Sequence, residues 1–173
     1  MRLATILWCA LAASAHAAGT ETDSTPPPPP ACVQGLVRDA ETGLCVAPQD
    51  SRLDDDERYT AMRALAYAGQ IDHAIAVLGS MTDQRADRVL TYRGFTARQQ
   101  GDMETALRWY RAALLANPDN LLARSYMGQA FVETGNSAAA RAELSEIRRR
   151  GGRGTWPETA LRLAIGSGRG VSY

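Results

Sequence analysis

Apolar residues between positions 54 and 165 recur at helical spacing and are interrupted by glycine at nearly regular intervals. Gly69, Gly101 and Gly135 stand 32 and 34 residues apart. Each is followed by a polar residue and then an Ala-rich amphipathic stretch: Gln70-Ile71-Asp72-His73-Ala74, Asp102-Met103-Glu104-Thr105-Ala106 and Asn136-Ser137-Ala138-Ala139-Ala140. The pattern predicts a helix end, a glycine turn and a new helix start, three times over. Fixed intervals of this size mark a repeat architecture: one hairpin cannot bury its own apolar face, whereas stacked hairpins share a core. The expected array covers residues 53–152, with units at about 54–82, 87–120 and 121–150. In the first unit the second helix is short and stops near Gly79-Ser80. Thr155-Trp156-Pro157-Glu158 then predicts a capping-box start. Leu161, Leu163 and Ile165 continue it as a seventh, capping helix over 155–165. Gly166-Ser167-Gly168-Arg169-Gly170 stops that helix, and the last residues are expected to fray.

The pattern before residue 53 differs. Met1 and Arg2 precede an apolar run, and Ala15-His16-Ala17 offers small residues for cleavage, the order of a secretory signal peptide over 1–17. The run is too short to span a bilayer, which takes about 20 residues. An uncleaved interfacial anchor is the alternative. Residues 18–31 are polar and then Pro-rich. The five consecutive prolines at 26–30 read as an extended spacer of roughly 15 Å, or as a ligand for a Pro-binding groove. Cys32 and Cys45 are the cysteines left after such processing, and export to an oxidising compartment predicts that they pair. Residues 32–46 then form a small cystine loop with turns at Gly35 and Gly43. Closing a loop of this size is worth about 3 kcal/mol in the chain-entropy view.

Charge narrows the functional classes. The 19 cationic side chains are all Arg and balance 19 acids, which argues against a bulk nucleic-acid binder. The distribution is polar: residues 21–83 hold 11 acids and 4 Arg, net −7, and residues 85–173 hold 14 Arg and 8 acids, net +6. Asp54-Asp55-Asp56-Glu57 falls at a helix N-terminus and Arg148-Arg149-Arg150 at a helix C-terminus, where each complements the dipole. An acidic polymer or lipid headgroup is the functional alternative for the Arg cluster. Beyond residue 17 the one histidine is His73, expected to be exposed. There is no nucleophile elbow, phosphate loop or helical His pair. The reading is therefore no catalytic residue, no metal site and no cofactor. Trp109, Tyr110, Met127 and Phe131 read as core or groove wall.

Residues 87–120 resemble a tetratricopeptide repeat, with its pattern W-x₂-L-G-x₂-Y…A-x₃-F…P. Gly94, Ala106 and Tyr110 occupy the small, small and aromatic positions, Gly101-Asp102 the turn, and Asn117-Pro118-Asp119-Asn120 the exit. Leu90, Arg93 and Ala97 stand where the pattern has Trp, Leu and Tyr, departures expected to loosen that helix. The third unit matches through Gly128, Phe131, Gly135, Ala140 and Leu144, with Arg124 for the Trp. The first matches through Leu65, Gly69, Ala74 and Leu78. The resemblance implies an all-α fold: a solenoid of three helical hairpins plus a C-terminal capping helix, preceded by the disulfide-closed loop.

It also implies that the first helices of the hairpins line a concave groove for a peptide or partner segment. The candidates are Tyr59, Arg63 and Tyr67 in the first unit, Thr91, Tyr92, Phe95 and Arg98 in the second, and Ser125, Tyr126, Gln129 and Glu133 in the third. Of these, Tyr59, Arg63, Tyr92, Phe95, Arg98, Tyr126 and Gln129 are the expected partner-binding residues. Aromatic residues and Arg are common interface anchors. The alternative is that they merely cover helix faces. The clamp for acidic chaperone tails uses Lys and Asn at these places. This chain has no Lys, so that ligand is rejected. The expected function is a non-catalytic adaptor of the cell envelope, periplasmic or secreted, docking a peptide or helix of another protein. It would bind no nucleic acid, would not insert stably in a membrane once the leader is removed, and would favour the monomer. The alternative is a structural protein that self-associates through the array ends and the charge asymmetry.

Overall fold

The computed structural model describes Cys32 and residues 34–171. The leader at 1–17 and the linker at 18–31 lie outside the described residues. Cys32 and Cys45 form a disulfide. It closes a two-stranded antiparallel hairpin of β1 (Val37–Arg38) and β2 (Cys45–Val46), with Val37 opposite Val46. The Asp39 carboxylate accepts the amides of Glu41 and Thr42 at 2.9 and 3.2 Å, and Gly43 supplies the left-handed turn residue with φ 70°. The hairpin is docked, not dangling. Val37 is fully buried in the main core, and the Ala40 amide donates to Glu57 at 2.6 Å.

Three helical hairpins follow: α1 (Asp55–Tyr67) with α2 (Ile71–Gly79), α3 (Asp87–Gln99) with α4 (Met103–Ala116), and α5 (Leu121–Glu133) with α6 (Ser137–Arg149). A seventh helix, α7 (Trp156–Ser167), lies on α5 and α6 where the next hairpin would begin. Each pair turns on a left-handed glycine: Gly69, Gly101 and Gly135, at φ 73°, 83° and 78°. The residue after each glycine donates its amide back to the carbonyl of Leu65, Ala97 and Phe131 respectively. These bonds satisfy carbonyls that a helix end leaves open. Asp102, Asn120 and Asn136 cap the helices that follow by accepting the amides of Thr105, Ala123 and Ala139.

Closeness between neighbouring helices rests on two glycines. A Cβ on Gly94 would lie 2.5 Å from the Tyr110 ring, and one on Gly128 would lie 2.6 Å from Leu161. Ala106 and Ala140 are fully buried at the matching small positions. The expected loosening of α3 is not found. Nine of its residues are buried, because Tyr92 and Phe95 on the same helix supply bulk that the missing pattern aromatics would have given.

The charge clusters are consumed by the fold. Asp54 and Glu57 form a reciprocal capping box on α1, and Asp55 accepts the amides of Thr82 and Asp83. Asp56 pairs with Arg88. At the other end Arg148 pairs with Glu158 at 2.8 Å, Arg149 with Glu146, and Arg150 with Asp119. The expected capping box of α7 forms differently. Thr155 is the N-cap residue, but its hydroxyl donates to the Gly152 carbonyl, and Glu158 accepts the Gly154 amide at 3.1 Å.

Asp50 offers a pH test of the lead-in to α1. Its carboxylate receives the Arg52 side chain twice, at 2.9 and 2.8 Å, and the Arg52 amide at 3.0 Å. Those bonds hold its pKa at about 2, against an ordinary 3.8. A depressed carboxylate stabilises the fold above its unfolded value, and that contribution is lost as pH falls from about 4 through about 2. An NMR titration should therefore place the Asp50 midpoint near 2, and Arg52→Gln should move it up toward the ordinary range. A midpoint near 4 in the unmodified chain would contradict this pairing.

Candidate partner-binding face

The first helices of the three hairpins, α1, α3 and α5, meet along one face. Four tyrosines from these helices converge there. The Tyr67 hydroxyl lies 2.6 Å from that of Tyr92 and 2.9 Å from that of Tyr126. Tyr59 meets Tyr92 edge to face at 5.6 Å between ring centres. Phe95 lies 5.1 Å from Tyr126 and 5.8 Å from Tyr67. Arg63 donates from Nε to the Tyr92 hydroxyl at 3.1 Å and lies 5.7 Å from the rings of both Tyr59 and Tyr67. Burial, reinforced by the Tyr67 hydroxyl, pushes the Tyr92 phenol far above its usual range, and burial also raises that of Tyr59. Burial opposes the Arg63 charge, yet the Tyr92 and Tyr67 oxygens hold its pKa above the usual value. The Tyr92 and Tyr59 phenols are therefore neutral, and the open side of the cluster carries the charges of Arg63 and of Arg88, which lies 5.1 Å from the Tyr59 ring.

Arg98 sits at the other end of the face. It pairs with Glu133 of α5 at 2.7 Å and lies 5.7 and 5.8 Å from the rings of Phe95 and Tyr126. Its side chain is 3% exposed, and its Nε and Nη2 have no hydrogen-bond partner. A cleft of about 270 Å³ opens beside it, bounded by Tyr67, Phe95, Arg98, Glu133, Gly170 and Val171. The chain after α7 turns back over this face. The Val171 amide donates to Gln129 Oε1 of α5 at 3.1 Å, and a Cβ on Gly170 would overlap the Glu133 carboxylate. The segment expected to fray is thus held as far as Val171.

The sequence reading chooses seven side chains for partner binding at an open groove: Tyr59, Arg63, Tyr92, Phe95, Arg98, Tyr126 and Gln129. The structure brings them together, but it buries five: Tyr92, Phe95, Arg98, Tyr126 and Gln129. Of the seven, Tyr59, half-buried, and Arg63, exposed, reach solvent appreciably, as does the neighbouring half-buried Tyr67. The helices lie so close that the aromatic residues fill the space between them. What remains accessible is the rim of Tyr59, Arg63 and Tyr67, and the cleft beside Arg98. The part of the tail at 170–171 was missed. Its only sequence signal is glycine at 170, where no side chain would fit.

Residues 97–153 match the family profile described as Tetratricopeptide repeat. The match runs from the end of α3 through α6 and its closing turn. That segment is similar to tetratricopeptide repeats. No curated protein matches the chain. Such repeats generally mediate protein–protein interactions and are generally non-catalytic. The array is a helical solenoid with a disulfide-closed hairpin at its N-terminal side. Among the described residues no helix is long and apolar enough to cross a membrane. No group of three or more His, Cys, Asp or Glu able to hold a metal ion lies among them either.

Proposed function

We propose that this protein is a non-catalytic adaptor that docks a segment of another protein across the α1–α3–α5 face of its tetratricopeptide array, outside the cytoplasm. The observation that carries this reading is the tail. An irregular stretch of backbone already lies on that face, with the Val171 amide accepted by Gln129. The face therefore offers what an extended peptide needs: a buried side-chain acceptor for its backbone, aromatic walls, and an Arg at each end. The disulfide Cys32–Cys45 is compatible with a periplasmic or secreted location.

The burial pattern decides which variants test the reading. Tyr92, Phe95 and Tyr126 are core as well as face, so their removal would unfold the site. Arg63 and Tyr59 are accessible and can be changed with the fold intact. The measurement is crosslinking capture from a native extract of the cell envelope, with crosslinked positions mapped by mass spectrometry. The unmodified chain should capture a partner through α1, α3 and α5. Arg63→Glu with Tyr59→Ala should lose that capture at least tenfold while keeping its helical circular dichroism. Equal capture by both, or crosslinks confined to other surfaces, would reject the groove.

A further inference from the structure

We infer that the two ends of the array are complementary, and that the cleft between the cystine hairpin and α1 receives the outer face of α7 from a second copy of this chain. The inference does not depend on the groove.

The cleft measures about 670 Å³. Its floor is the outer side of α1, with the small residues Thr60, Ala61, Ala64 and Ala68. Leu36 of the hairpin forms a wall, and Asp54, Asp56 and Glu57 stand at one end. Within the array α5 is covered on its following side by α7, whose Leu161 enters the space left by Gly128. No helical hairpin precedes α1 among the described residues, and the cleft is what its open side leaves beside the cystine hairpin.

The opposite end has the converse shape. Beyond its contacts with α5 and α6, α7 turns Trp156 and Leu163 outward at 51% and 48% exposure. They are seven residues apart, so they share one stripe of the helix. Thr159 and Gly166 fall on the same stripe, which keeps it narrow. Arg153, Arg162 and Arg169 flank it and form no ion pair among the described residues. Protruding apolar side chains thus stand at one end and a small-residue cleft at the other. The helices match in length, 13 residues in α1 and 12 in α7, or roughly 18–20 Å each.

Charge selects the second copy as occupant. Residues 34–67 hold seven acids and four Arg, net −3, or −2 once Arg88, which pairs with Asp56, is counted. Residues 148–171 hold six Arg and one acid, net +5, or +3 once Glu146 and Asp119, which pair with Arg149 and Arg150, are counted. Copies meeting head to tail set these fields against each other, whereas head-to-head or tail-to-tail contacts oppose like charges. The contact uses a different surface on each copy. It is therefore heterologous and leaves one cleft and one α7 free for further copies.

The test is analytical ultracentrifugation of the purified, disulfide-intact full chain across concentration and salt. The unmodified chain should form a ladder of masses, dimer and beyond, that shifts back toward monomer as salt rises. Ala64→Arg disables the cleft and Leu163→Glu disables α7. Both positions are exposed, and each variant alone should be monomeric with an unchanged thermal melt. Mixed in equal amounts, they should give a 1:1 dimer and nothing larger, because each then contributes its one intact end. Thr60→Arg provides a second cleft variant should Ala64→Arg lower the melting temperature. Monomer at all concentrations in the unmodified chain, variants that still assemble, or a mixture that stays monomeric would each overturn the inference. So would assembly that begins only when residues 18–31 are deleted, since that segment would then be the occupant.

Discussion

Arg124→Ala should destabilise the fold by about 3–5 kcal/mol. Arg124 is 8% exposed. Its Nη2 and Nε donate to the Pro118 carbonyl at 2.8 and 3.2 Å, and its Nη1 to Glu143 at 2.9 Å. Truncation would leave that carbonyl and the partly buried Glu143 carboxylate without their donor. Burial already pushes the Glu143 carboxyl above its usual value against the pull of Arg124, so the acid has little else to hold it charged. Urea unfolding followed by circular dichroism reads the loss. Arg124→Met with Glu143→Leu should recover to within about 1 kcal/mol of the unmodified chain, since a well-packed apolar pair can replace a buried ion pair. A loss under 1 kcal/mol for Arg124→Ala would show that this Arg is not what ties α5 to the exit loop.

The same device recurs four residues after the N-cap of α1. Arg58 donates to the carbonyls of Pro48 and Asp50 at 2.9 and 3.0 Å. It stands in the position that Arg124 has in the third hairpin, and the tetratricopeptide pattern has Trp there. Bulk packing at this position is thus replaced twice by a guanidinium fork gripping the backbone that leads into the helix. In the sequence the Arg read as a departure, because pattern matching scores side-chain volume. What Arg124 grips is a main-chain carbonyl six residues away, which has no residue signature except the nearby proline.

The repeat itself was legible because glycine turns, small residues at crossings and amphipathic stretches all act over short chain distances. Seven helices follow from the 32- and 34-residue glycine spacing and the Pro-marked start of α7. The face was legible only as a list of helix positions. Periodicity shows that Tyr92 and Phe95 share a side of α3, but it does not show what lies opposite. Tyr67 reaches Tyr92 across 25 residues of chain and Tyr126 across 59. Whether a tyrosine there is open or buried depends on how closely three helices approach, and helical periodicity does not carry that distance. The fold of the tail across Gln129 was missed for the same reason: its partner lies 42 residues away.

Gly94→Val should cost about 3 kcal/mol, and Gly94→Ala should also destabilise, against helix propensity. Propensity alone favours alanine over a mid-helix glycine by about 1 kcal/mol. At Gly94 a Cβ would sit 2.5 and 2.6 Å from Cε1 and Cδ1 of the Tyr110 ring. Tyr110 is fully buried, so the ring has no solvent to swing into, and overpacking of this kind costs about 1–3 kcal/mol. Gly79 is the control. It lies in the last turn of α2 with nothing within 4 Å of its would-be Cβ, so Gly79→Ala should stabilise by about 0.5–1 kcal/mol. The clash also names its own rescue. In a Tyr110→Leu background the ring is gone, and Gly94→Ala should turn from destabilising to neutral or favourable, a coupling of at least 1 kcal/mol in a double-mutant cycle. Equal effects of Gly94→Ala with and without Tyr110 would mean that the helices do not meet at this glycine.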